Sequence, residues 1–224
     1  MLITSGDSIM GTVFDDIGQA ALRLKLGDCI SFGSFVPEAV PSDMEIRLPM
    51  LWHVIDRKEN RLKLLSCFFF EHTGYWSVKG DKTEVTWRDT EIRKDLNDRF
   101  YYKCFTENER SAILTTEVKT ETAEGMCVIT NDKLFVPSYE DIVNIPDHLK
   151  IGRGLYFDRC GDDAPSVKPM YCFYWLRDPG TEKAANLIVR GCSEHEIVLD
   201  SLDCYSDEVG VRAVIWVDAE KMNK

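Results

Sequence analysis

The chain has 224 residues with 44% hydrophobic content, enough to bury one substantial core, and its 27 basic against 38 acidic residues leave a net charge of −11. That balance repels a phosphate backbone unless the basic groups gather in one patch, and the densest basic run, "RKENRLK" from Arg57 to Lys63, reads as a hairpin tip, so nucleic acid is not an expected partner. The opening "MLITSGDSIMGTVFDD" lacks the basic start and apolar run of a secretory signal, and nowhere do about eighteen apolar residues follow each other, so the sequence predicts a soluble, cytoplasmic protein without membrane insertion.

Residues 1–25 offer one weak helical pattern, "IGQAALRLKL", and are expected to form an arm or edge element before a single domain over 26–224. Three runs follow, "DCISFGSF", "LPMLWHVIDR" and "NRLKLLSCFFF", rich in β-branched and aromatic residues and separated by breakers, which suit an antiparallel meander with a hairpin turn at Asp56 to Asn60. Helical periodicity takes over at "WRDTEIRKDLNDRF", where Ile92, Leu96 and Phe100 form one stripe and Asp89 or Thr90 can cap the start. Thr106 with Glu109, and Ser138 with Asp141, have capping-box spacing and announce two more short helices, the second after an apolar strand "KLFVPS".

From Pro146 to Pro169, Gly and Pro among charged residues predict a long irregular loop. Strands resume at "MYCFYWLR", "AANLIVR", "HEIVLD" and "VGVRAVIWV". Strands, helices and strands again is an α+β order rather than the alternation of a doubly wound sheet.

Several chemistries are tested by spacing. "GDSI" resembles a hydrolase nucleophile block at Ser8, but its partner pattern D-x-x-H is missing, and no catalytic residue is assigned. The four histidines, 53, 72, 148 and 195, show no H-x-x-x-H spacing and the eight cysteines no C-x-x-C, so a zinc site would have to be assembled from distant residues. His53 reads as an ordinary strand residue, no cysteine is evidently placed beside a histidine, and the scattered thiols suit reduced, buried cysteines. Acidic groups at Asp162, Asp163, Asp200, Asp203, Asp207 and Glu208 could hold calcium, yet a solvated acidic loop explains them better, so no cofactor and no metal are expected.

In "YWLRDPG", Tyr174 to Gly180, the residues Asp178, Pro179, Gly180 and Thr181 fit a type II turn that ends a strand. Trp175 and Arg177 alternate onto one face of that strand, with Leu176 on the other. A guanidinium there needs a carboxylate, carbonyls or an aromatic face to offset its desolvation.

"VTWRDTEIRKDLNDRF" with Trp87, Arg93, Leu96 and Asn97, "YWLRDPG" with Trp175, Arg177, Pro179 and Gly180, and "VGVRAVIWV" with Arg212 and Trp216 stand in an order that resembles a bacterial domain-of-unknown-function family. Its signatures are W-W-L-R-S-P-G, T-W-x-x-S-x-x-R-x-x-L-N and G-V-R-P-A-x-W. Tyr174, Asp178 and Ala213 depart from that pattern. The family is similar to the C-type-lectin-like fold shared with the formylglycine-generating enzymes. The resemblance implies a single lectin-like domain of antiparallel sheets, two or three short helices and long loops, in which the G-V-R strand closes the sheet near the opening strands.

Neither the calcium-binding tripeptides of lectins nor the copper cysteine pair of those enzymes occurs here. The expectation is a non-enzymatic module that recognises a protein or glycan ligand through Tyr156, Phe157, Tyr171, Arg177, Asp178 and Tyr205. The alternative is an enzyme whose Arg177 and Arg212 line a pocket for an anionic small molecule. Arginines that pair with core carboxylates would favour the scaffold.

Overall fold

Alternating apolar side chains build the first sheet. Ile30 and Phe32 of β1 (Cys29–Phe35), Met50, Trp52 and Val54 of β2 (Leu48–Lys58), and Leu62 and Leu64 of β3 (Arg61–Ser66) are all buried. A computed structural model describes residues 21–36, 47–69, 86–122, 124–151, 153–158, 166–171, 173–180, 185–193, 196–203 and 209–222. The β2–β3 hairpin reverses over Glu59 and Asn60, between the paired Lys58 and Arg61, with Glu59 at φ 53°. Trp52 sends its indole N–H to the Phe32 carbonyl at 2.7 Å, which locks β1 to β2 in the core. A bulge between Ser31 and Ser34 carries Gly33 at φ 79°, where a Cβ would stand 2.7 Å from the Phe105 ring.

The helical segment begins with a 3-10 turn at Trp87–Asp89. Thr90 then caps α1 (Glu91–Asp95) by accepting the Arg93 N–H at 2.9 Å. A π-helical turn, Leu96–Phe100, leads into α2 (Tyr101–Cys104), and the stripe of Ile92, Leu96 and Phe100 packs on the core as its spacing predicts. Both capping boxes form: Thr106 with Glu109 starts α3 (Glu107–Ala112), and Ser138 with Asp141 starts α4 (Tyr139–Val143). Between them lies a hairpin that the sequence reading did not separate, β4 (Thr116–Glu121) against β5 (Cys127–Asp132). Its inward positions Val118 and Thr120 alternate with exposed charges. The run "KLFVPS" makes one isolated bridge, Phe135 with Val214, instead of a strand.

The described part of Pro146 to Pro169 is not an irregular loop. It holds α5 (Asp147–Lys150), β6 (Arg153–Asp158) and the start of β7 (Ser166–Tyr171), and β6 and β7 pair as a two-stranded antiparallel sheet. Gly154 and Pro169 disguised the strands. A proline is tolerated in a two-stranded ribbon, whose outer edge needs no N–H partner.

β8 (Tyr174–Pro179), β9 (Ala185–Ser193) and β10 (Glu196–Asp203) form a three-stranded sheet. β8 continues through Asp178 to Pro179, which pairs with Asn186, so the strand does not stop before the expected turn; Thr181 lies outside the described residues. Leu176 is as fully buried as Trp175, because both faces of β8 are covered. β11 (Val214–Asp218) leaves that sheet and pairs antiparallel with β3, giving the order β1-β2-β3-β11. The carboxyl-terminal third is thus split among three sheets, the β6–β7 ribbon, the sheet of β8 with Trp175 and the sheet of β11 with Trp216.

The protein is a mixed α and β structure of curled antiparallel sheets with a few short helices. Ala21 and Leu24 sit in the same core as these sheets. Among the described residues no helix is long and apolar enough to cross a membrane.

Candidate functional site

The helix motif is a clamp on the end of β5. Trp87 donates its indole N–H to Asp132 Oδ2 at 2.8 Å, Arg93 Nε reaches Asp132 Oδ1 at 2.8 Å, and Thr130 Oγ1 donates to Oδ2 at 2.6 Å. Asn97 then reads the backbone just beyond: its Oδ1 accepts from the N–H groups of Lys133 and Leu134, and its Nδ2 donates to the Leu134 and Arg93 carbonyls. Leu96 is buried beneath. Three of the signature residues, Trp87, Arg93 and Asn97, therefore serve one buried carboxylate and the bend that follows it. Asp132 itself was missed in the sequence, since one aspartate among 38 acidic residues carries no local pattern.

Arg177 holds a second node. Its Nη1 lies 3.0 Å from Asp141 Oδ2 and 3.0 Å from the Val136 carbonyl, its Nε 3.2 Å from the Lys119 carbonyl, and its guanidinium stacks 5.5 Å from the Phe135 ring centroid. Lys63 from β3 pairs with the other oxygen of Asp141. Burial works to raise the Asp141 carboxyl, but Arg177, Lys63 and the cap hydrogen bonds prevail and hold it at about 2. Its neighbour Asp178 accepts the Tyr139 N–H at 2.6 Å, and burial pushes its carboxyl above the ordinary range.

Arg212 is fully buried. It is not held by a carboxylate among the described residues: Nε donates to the Ser66 carbonyl at 2.7 Å, and Nη1 to the Leu149 and Lys150 carbonyls at 3.0 and 3.1 Å. The guanidinium lies 5.0 Å over the Tyr174 ring, whose phenol burial pushes up to about 12 against the pull of that positive charge. Gly210 just before it bridges Tyr174 and accepts the Trp175 N–H at 3.2 Å, which joins β8 to the chain entering β11. Trp216 pairs with Lys63, and the Lys58 and Lys63 ammonium groups approach its ring at 5.4 and 5.7 Å.

The candidate contact residues are dispersed. Tyr156 and Phe157 lie on β6, paired in register with Lys168 and Val167, and Tyr171 on β7 pairs with Arg153. Arg177 and Asp178 lie on β8, and the half-buried Gly180 follows Pro179. Tyr205, Ser8, His72, His195, Asp162, Asp163, Asp207 and Glu208 lie outside the described residues.

One cluster escaped the sequence reading. Cys29 of β1, His53 of β2 and Cys67 just past β3 bring their ligand atoms within 4.8 Å of one another, so cysteines do stand beside a histidine. The Cys29 and Cys67 sulfurs are 3.8 Å apart, and the hydrogen bond from Cys67 holds the Cys29 thiol below its ordinary value despite burial. Only the pairing of three strands creates this proximity, and no linear spacing encodes it.

No curated protein and no solved structure matches the chain. The clamp at Trp87 to Asn97, the Arg177 strand and the Arg212 crossing all fall within residues 59–219, which match the family described as a domain of unknown function (DUF6273), and the chain belongs to that family.

Proposed function

We propose that the chain is a non-enzymatic recognition module, built on a lectin-like frame, that binds a protein or glycan ligand through the β6–β7 hairpin and the neighbouring turns. The observation that carries this reading is the contrast between frame and excursion. Arg177 and the Nε and Nη1 groups of Arg212, which are best suited to hold an anionic substrate, are spent on Asp141 and on main-chain carbonyls, and among the described residues only the buried Nη2 of Arg212 is left without a partner. Meanwhile, among the described residues, β6 and β7 pair only with each other, and they carry Tyr156, Phe157 and Tyr171 on a ribbon outside the two larger sheets. A sheet frame fixed by buried polar groups, displaying a separate hairpin, is a common way to present a binding surface.

The test is a glycan array probed with the full chain and with a Tyr156→Ala, Phe157→Ala double variant. Saturable binding to one glycan class, lost in the double variant while its melting temperature holds, supports the reading. Turnover of an anionic metabolite that Arg177→Lys abolishes would overturn it in favour of an enzyme.

A further inference from the structure

Pairing of the first three strands delivers a thiol, an imidazole and a second thiol to one point. Cys29 stands directly opposite His53 in the β1–β2 register, and the chain leaving β3 returns the Cys67 N–H to the Leu51 carbonyl at 2.9 Å, on the other side of β2. The three ligand atoms then fall within 4.8 Å of one another, and the two sulfurs are 3.8 Å apart. Two thiolates each about 2.3 Å from one tetrahedral ion are themselves about 3.8 Å apart, whereas a disulfide requires about 2.05 Å.

Donor chemistry selects the ion. Two soft sulfurs and a borderline imidazole suit zinc and disfavour calcium or magnesium, which take oxygen. Cys29 and His53 are partly exposed, so an ion and its water can reach the group from their side. The scaffold is rigid, because Trp52, next to His53, is buried and anchored on the Phe32 carbonyl. Among the described residues the ligand group ends at three.

We propose that Cys29, His53 and Cys67 bind one zinc ion through two thiolates and one imidazole, with water in the fourth position. Such an ion ties β1 to the end of β3 across β2 and leaves one coordination site open to an incoming donor.

The experiment is a cobalt titration of the reduced, metal-free full chain, followed by zinc displacement. One equivalent is taken up with a thiolate-to-cobalt charge-transfer band and the visible absorption of a tetrahedral site, and zinc removes both. Cys29→Ser, Cys67→Ser and His53→Gln each weaken zinc by at least about 100-fold, beyond the loss expected for an outer-shell partner. Cys127→Ser, at an exposed thiol, keeps full affinity. Where a ligand variant fails to fold, X-ray absorption of the zinc-loaded wild type decides, with two sulfurs and one imidazole expected. Absence of the charge-transfer band in the wild type, a band that survives in Cys29→Ser, or a first shell without sulfur would overturn the site and leave a hydrogen-bonded thiol pair.

Discussion

Asp141 closes the capping box of its own helix and also receives Arg177, 36 residues further on, at 3.0 Å. With Lys63 on its other oxygen, one carboxylate joins β3, α4 and β8. Both side chains of the Arg177–Asp141 pair are largely buried, at 12% and 8% exposure, so removing one charge leaves the others uncompensated. Asp141→Asn is expected to cost about 3–5 kcal/mol in urea unfolding. A loss below about 1 kcal/mol would place the pair among weak surface bridges.

The same node sets an acid limit. Asp141 titrates near 2 in the folded chain against an ordinary 3.8, so its stabilising contribution is complete above about pH 4 and disappears as pH falls toward 2. The size is about 2 kcal/mol for a shift of this order. Unfolding free energies measured from pH 5 down to pH 2 should carry this slope, and Asp141→Asn should flatten it.

Asp178 has the opposite sign. Burial raises its carboxyl, so the folded chain binds that proton more tightly than the unfolded one, and stability from this group grows as pH falls. Asp178→Asn keeps an oxygen to accept the Tyr139 N–H and removes the buried charge. Thermal melts at pH 7 should show the variant at least as stable as the parent, with its advantage shrinking at acid pH. A clearly lower melting temperature at pH 7 would show that the charge is needed, through Arg177.

Arg93 and Asp132 form the third buried relationship, with the carboxylate only 1% exposed. A double-mutant cycle of Arg93→Ala and Asp132→Ala should return a coupling of about 0.5–3 kcal/mol, as expected for residues in one polar network. Additive losses would mean that Asp132 serves Trp87 and Thr130 alone.

Local signals were legible and long-range ones were not. The meander, the Ile92–Leu96–Phe100 stripe and both capping boxes follow from spacings within a few residues. The β6–β7 hairpin was hidden because Gly154 and Pro169 count against strands in any local reading, although a two-stranded ribbon accommodates them. The need of Arg177 for partners was readable from its burial in an apolar strand, but its partner Asp141 was already accounted for as a helix cap. Asp132 and the Cys29–His53–Cys67 group depend on strand register, which a single sequence does not print.

Gly210 offers the sharpest steric test of the signature. Its φ lies outside the left-handed region, so backbone freedom is not what selects glycine. A Cβ there would stand 2.5 Å from Phe69 Cδ1 and 2.6 Å from Cγ, inside the ring's contact distance. Phe69 is itself buried, 6.1 Å from the Tyr174 ring, and Gly210 must stay close to the backbone of Phe173 and Trp175, whose groups it bonds at 2.7 and 3.2 Å. Neither side can easily retreat. Gly210→Ala is expected to cost about 1–3 kcal/mol by overpacking. In a Phe69→Leu background the ring is gone, and the same substitution should cost less, with a non-additivity of about 0.5–3 kcal/mol in urea unfolding. An equal cost in both backgrounds would show that something other than the Phe69 ring excludes a side chain at this crossing.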